Sequence, residues 1–226
     1  MTIDLRKKIS LAKDMIVTET KKQGVDVTQA RVVFVLDHSR SMSKLYNDGT
    51  VQNTLERIFP LAMHFDDNGE MEFYLFDTLF KELDPVTEGN LENYTTEIIM
   101  QKKGKYGATC YAPIISEITT RYGMNDKSND PTFVVFITDG NNSDKTAAKE
   151  ALIKASHYNI FWKFVGIGDE KFEFLERLDT MSGRFIDNAN FIKIDNLNFI
   201  KDSSLYEMLL TEFSDWCRLC REHNLI

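Results

Sequence analysis

Two short apolar runs constrain this chain most. Arg31-Val-Val-Phe-Val-Leu36 and Phe133-Val-Val-Phe-Ile137 are dense in β-branched and aromatic residues and show no alternation of apolar with polar positions. A strand with one wetted face alternates, whereas a strand of a parallel sheet covered on both faces reads as a continuous apolar run. Ile160–Ile167 has the same character, and helical patterns separate the three. Strands alternating with helices predict an α/β fold: a doubly wound, Rossmann-like, mostly parallel sheet with helices on both faces.

Around these strands the pattern predicts a helix over 5–22 stopped by Gly24, one over 51–65 interrupted by Pro60, and a strand at Met71–Phe76. A strand at Leu79–Leu83 follows after a link too short for a crossover, so it predicts one antiparallel edge strand. Helices are expected over 91–100, 111–122 (with Pro113 in the first turn), 144–157 and 172–181, a loop over 102–109, and a short strand at Phe191–Ile194. A terminal helix over 204–222 completes the reading. The length of 226 residues suits one domain, with a core over about 30–195 and the terminal helices, 3–23 and 204–222, packed on or beside it.

A net charge of −8 without a basic stripe argues against nucleic acid, which is bound by clustered Lys and Arg. No apolar run approaches the roughly 20 residues of a membrane helix, though peripheral membrane assembly stays open. The charged N-terminus lacks the apolar stretch of a signal peptide, which predicts an intracellular protein. Three cysteines, Cys110, Cys217 and Cys220, make an odd set that implies no disulfide framework. Cys217 and Cys220 form C-x-x-C, yet no second such pair supplies further zinc ligands, so they are expected to pack in the core.

Both of the most apolar strands run into oxygen-bearing residues: Asp37-His-Ser-Arg-Ser41 after the first and Thr138-Asp139-Gly140 after the second. In open α/β sheets ligands sit outside the carboxyl ends of the strands. Asp37, Ser39 and Ser41 stand at i, i+2 and i+4, which in an extended segment point one way, whereas His38 alternates away. Carboxylates and hydroxyls favour Mg²⁺, or Mn²⁺ or Ca²⁺, over zinc or copper. The turn around Asp66 and Asp67 is a weaker carboxylate cluster, expected to be a solvated Asp-Asn-Gly turn. Ser39 with a histidine and an Asp has the residue types of a hydrolase triad, but no Gly-x-Ser-x-Gly elbow carries it.

Asp-x-Ser-x-Ser after a buried strand, Gly107-Ala108-Thr109, and a later strand ending Thr-Asp139-Gly together resemble the metal-ion-dependent adhesion site (MIDAS) of von Willebrand factor A (vWA) domains. The resemblance implies one cation surrounded by Asp37, Ser39, Ser41, Thr109 and Asp139, some of them through water. Asp48-Gly-Thr-Val-Gln52, Pro60-Leu-Ala, Phe65-Asp-Asp-Asn-Gly69, Val86-Thr87, Asn93-Tyr94 and Gly107-Ala-Thr-Cys-Tyr-Ala-Pro113 are similar to the A domains of bacterial tellurium-resistance (Ter-type) stress proteins. That likeness implies a cytoplasmic bacterial protein of a tellurite or toxic-anion resistance system, acting in metal-dependent assemblies. Its partner, which other Ter-type proteins are candidates for, would supply an Asp or Glu carboxylate to the metal. Arg40 departs from the Gly common in A domains. The expected function is binding without catalysis; the alternatives are a metal-dependent hydrolase or phosphatase, or a purely structural metal.

Overall fold

The computed structural model describes residues 1–66, 68–101, 107–126, 128–178 and 180–226. Its helices are α1 (Ile3–Lys22), α2 (Ser43–Asn47), α3 (Thr50–Phe65), α4 (Ala112–Ile118), α5 (Lys145–Ala155), α6 (Asp202–Leu210) and α7 (Phe213–Glu222). Its strands are β1 (Arg31–Asp37), β2 (Met71–Phe76), β3 (Phe80–Val86), β4 (Thr132–Thr138), β5 (Ile160–Ile167) and β6 (Ala189–Ile194). They form one sheet in the order β3-β2-β1-β4-β5-β6. All pairs are parallel except β2 with β3, so the expected antiparallel edge strand is present.

The absence of alternation in the central strands follows from two cores. Val32, Phe34 and Leu36 face the layer built with α1, α3, α6 and α7, while Val33 and Val35 face the layer built with α4 and α5. β4 divides in the same way: Phe133, Val135 and Ile137 point to the first layer, Val134 and Phe136 to the second. β1 and β4 are direct neighbours, and the chain departs from them in opposite directions across the sheet. Their carboxyl ends therefore flank the switch point where such sheets place ligands.

Several helices differ from expectation. The expected helix over 172–181 is replaced by a single tight turn, Leu175–Arg177. Phe172, Phe174, Leu175 and Leu178 are all buried in one core layer. Phe172 also packs so closely on Gly166 that a Cβ there would lie 2.7 Å from its ring. The helix expected over 204–222 is two helices, broken at Thr211 and Glu212, where Glu212 takes a φ of +67°.

The break has a physical cause. Lys163, fully buried on β5, donates from Nζ to the carbonyls of Met208 and Thr211 at 3.1 and 2.8 Å, and to Asn190 Oδ1 at 2.5 Å. Asn190 in turn donates to the Glu212 carboxylate. The ammonium thus takes up carbonyls at the end of α6, and α7 restarts at an angle that buries Phe213 and Trp216. Residues 91–100 form a 3₁₀ turn and a π-turn, and α4 passes into a π-turn over Thr119–Met124. α3 continues through Pro60. Of the loop expected over 102–109, residues 102–106 lie outside the described residues, as does Asp67.

Candidate metal centre

β1 delivers Asp37 fully buried, and the chain then turns outward over a 3₁₀ turn at Arg40–Met42. The Asp37 carboxylate folds back on this turn: Oδ1 accepts from the backbone N–H of Ser39 at 2.7 Å. Its other oxygen accepts from the Thr138 hydroxyl at 2.6 Å, across from β4. Tyr46, from α2, donates to the Asp37 carbonyl at 2.8 Å and fixes the strand end from below.

Hydrogen bonds through Ser39 and Ser41 join the two carboxylates. Ser39 Oγ lies 3.0 Å from Ser41 Oγ, and Ser41 Oγ donates to Asp139 Oδ1 at 2.7 Å. Asp37, Ser39, Ser41 and Asp139 thus converge at one point above the neighbouring ends of β1 and β4. Arg40 is exposed. His38 is half-buried, edge-on to the Tyr46 ring at 5.5 Å, and burial lowers its imidazole pKa.

Thr109 arrives on a separate segment held by its main chain. Gly107 N–H donates to Asp77 Oδ2 at 3.1 Å, Ala108 N–H to Thr78 Oγ1 at 2.9 Å, and Cys110 N–H to the Asp77 carbonyl at 2.9 Å. The Thr109 carbonyl accepts from Ser143 N–H at 2.8 Å and from Ser143 Oγ at 3.1 Å. Position 107 is a glycine because any Cβ would collide with Thr78 Oγ1 and the Asp77 carboxyl. The segment is thereby clamped between the β2–β3 turn and the loop after Asp139, but its hydroxyl is not part of the hydrogen-bond chain that links the two carboxylates.

Three supporting residues escaped the sequence reading. Thr138 was legible only as the end of a strand, yet its hydroxyl orients Asp37. Tyr111 donates to the Gly140 carbonyl at 2.8 Å, next to Asp139. Asp144 accepts from the N–H groups of Tyr111 and Ala112 at 3.0 and 2.7 Å, which ties the start of α4 to the loop carrying Asp139. A Thr directly before the second Asp, and an Asp five residues after it, are the signals that carried this information.

The electrostatics suit a cation. Burial pushes the Asp37 carboxyl up to about 6, against hydrogen bonds from Thr138 and Ser39 that lower it, and the Asp139 charge raises it further. Burial also raises Asp139, with Ser41 opposing. No basic group is among the causes acting on either carboxylate. Two desolvated like charges side by side are costly, and a divalent ion would relieve both terms. Among the described residues there is no group of three or more His, Cys, Asp or Glu side chains placed to hold a metal. A cation at this point would therefore be held by hydroxyls and water as well as by the two carboxylates, a hard-oxygen set that fits Mg²⁺, Mn²⁺ or Ca²⁺.

Cys217 and Cys220 are buried on α7, and burial pushes the Cys217 thiol up to about 12 and raises Cys220 as well. They pack in the core, as expected. Among the described residues, no helix is long and apolar enough to cross a membrane.

Comparison with known proteins gives a consistent assignment. A protein of Bacillus subtilis (strain 168), "Uncharacterized protein YcbR", is 40% identical over 227 residues, covering 100% of this chain and 90% of that protein. Manganese-loaded TRAP protein of Plasmodium vivax is similar in fold, with a TM-score of 0.57 at 18% identity, over 82% of this chain and 73% of that one. Proximal thread matrix protein 1 of the mussel byssus, with a zinc-occupied MIDAS motif, has a TM-score of 0.55 at 15% identity, over 81% of this chain and 46% of that one. At these identities the two structures attest the fold alone. The family model described as "vWA found in TerF C terminus" matches residues 29–226. The chain therefore belongs to the vWA-TerF-like family of von Willebrand A domains.

Proposed function

We propose that this chain is a divalent-cation-dependent protein-docking module. Asp37, Ser39, Ser41, Thr109 and Asp139 hold one Mg²⁺, or Mn²⁺ or Ca²⁺ in its place, and an Asp or Glu side chain of a partner protein completes the shell. The observation that carries the reading is the hydrogen-bonded run from buried Asp37 through Ser39 and Ser41 to Asp139 at two adjacent strand ends. Asp37 accepts from the Ser39 N–H and the Thr138 hydroxyl and Asp139 from the Ser41 hydroxyl, an arrangement of ligand oxygens that supports binding as the leading reading. The likeness to the vWA domain of TerF supports a role for the module in a tellurite or toxic-anion stress response in a bacterial cytoplasm, with Ter-type proteins as first candidates for the partner.

The test has two stages. Saturating Mg²⁺ should raise the melting temperature; a ligand at 100 times its dissociation constant adds about 2.7 kcal/mol to a folded state it binds exclusively. A melting temperature indifferent to Mg²⁺, Mn²⁺ and Ca²⁺ rejects the site. Thr109→Val, which keeps shape and removes the oxygen, should weaken a captured partner more than it weakens the metal. Binding that is unchanged by chelator and by Thr109→Val would make the cation a structural one.

A further inference from the structure

On the α4–α5 side of the sheet lies a cavity of about 530 Å³ between α5 and the segment after β5. Its charged lining is unlike the rest of this acidic chain. Lys145, Lys149 and Arg177 border it, and among the described residues Glu173 is the one acid that does. Lys145 is already paired with Glu173 at 3.0 Å. Lys149 and Arg177 are exposed and form no ion pair among the described residues, so the cavity is bordered by three cations and one acid. The local field is positive: the Lys145 hydrogen bond holds the Glu173 carboxyl below its usual range, and the charges of Lys145, Arg177 and Lys171 act in the same direction.

The cavity is connected to the metal centre through Tyr111. Phe174, which lines it, packs edge-on to Tyr111 at 6.1 Å, and Tyr111 holds the carbonyl of Gly140 beside Asp139. Asn141 donates to the Lys171 carbonyl and so fastens the loop after Asp139 to the segment after β5. Asp139 and Lys145 are six residues apart, so their Cα atoms lie within about 20 Å, and Lys149, one helical turn further along α5, lies within about 26 Å, the span of an extended octapeptide.

We propose that this cavity is a second anchoring point for an acidic segment of the protein partner, whose further carboxylates sit against Lys149 and Arg177 while one reaches the cation. The inference rests on the docking function above and names the partner's chemistry: a segment with several Asp or Glu residues within about eight positions. Charge complementarity supports this occupant, because among the described residues three cations border the cavity against one acid, in a chain whose net charge is −8.

The experiment measures a fluorescein-labelled octaglutamate peptide by anisotropy on the full chain, in Mg²⁺ and in chelator. Lys149→Glu with Arg177→Glu should weaken it at least about tenfold in both conditions, with Mg²⁺ affinity within about twofold of wild type. Lys7→Glu with Lys8→Glu, on exposed positions of α1 across the sheet, should leave it unchanged. Loss from the double reversal but not from chelation keeps the cavity and rejects cation-dependent docking. Loss from chelation but not from the reversal overturns the cavity. Equal loss from the α1 pair, or no binding by the wild type at millimolar peptide, overturns it too. Circular dichroism and a melting curve show that each variant is folded, and the slope of affinity with salt, which falls when the two cations are removed, reads the same contact in the wild type.

Discussion

The hydroxyl of Ser41 donates a 2.7 Å hydrogen bond to Oδ1 of Asp139, joining the loop after β1 to the end of β4. The bond holds two candidate ligands in position before any cation arrives. Ser41 is exposed, so its removal leaves no buried cavity.

Ser41→Ala should therefore fold normally and bind Mg²⁺ about tenfold more weakly, a loss of about 1.4 kcal/mol. Calorimetric titration of Mg²⁺ measures this directly. In the metal-free variant the Asp139 carboxyl should titrate higher than in the wild type, because the hydrogen bond from Ser41 that lowers it is gone. An unchanged Mg²⁺ affinity would remove Ser41 from the ligand set.

Asp37 should make the metal-free protein pH-sensitive. Its folded pKa of about 6 lies above the ordinary carboxyl value of 3.8, so the proton is bound more tightly in the folded state. The sign follows: the metal-free fold is favoured while the group is protonated in both states, and stability falls as pH rises from about 4 through 6. The full difference is about 3 kcal/mol above that window. Asp37→Asn removes the charge, so in chelator it should melt above the wild type at pH 7.5 and close to it at pH 4. With Mg²⁺ at 100 times its dissociation constant the gap at pH 7.5 should nearly close, because the cation adds about 2.7 kcal/mol to the wild type and the variant binds none. Parallel melting curves at all pH values would show that Asp37 is not desolvated as described.

The C-x-x-C pair should behave as core. Both thiols are buried, with Cys217 pushed up to about 12, so in the native protein they should react with a disulfide reagent far more slowly than half-buried Cys110. Cys217→Ser with Cys220→Ser should lower stability by about 1–3 kcal/mol by burying hydroxyls, with Mg²⁺ affinity intact. Stoichiometric zinc in the purified protein, lost in the double variant, would overturn this.

Lys163→Met should be among the more costly single changes in the chain. It strands Asn190 Oδ1 and the carbonyls of Met208 and Thr211 in the interior. The expected loss is about 2–4 kcal/mol, read from the urea midpoint. A midpoint equal to the wild type's would mean that the α6–α7 break does not depend on the ammonium.

Much of this was legible in sequence, for stated reasons. The strands were readable because a sheet covered on both faces leaves unbroken apolar runs such as Val32–Leu36 and Phe133–Ile137. Four of the five candidate site residues were readable as a convergent set because i, i+2, i+4 spacing and adjacent strand ends translate directly into geometry; Thr109 came from the resemblance. What failed depended on long-range partners. Nothing local distinguishes Thr211-Glu212 from helix; the break is set by Lys163, from another strand. The segment 172–181 has helical composition, but the packing of Phe172 on Gly166 dictates its path. The hydroxyl of Thr138 was missed because its role exists only once β1 and β4 lie side by side.

The clamp on residues 107–110 is made by main-chain atoms of that segment: three N–H groups held by Asp77 and Thr78, and one carbonyl held by Ser143. Apart from the glycine at 107, such an attachment does not depend on which side chains the segment carries. The rim beside the candidate cation site can thus be substituted, residue by residue, without moving Thr109. If the docking proposal holds, related chains would change the face they present while keeping the same candidate ligands in place.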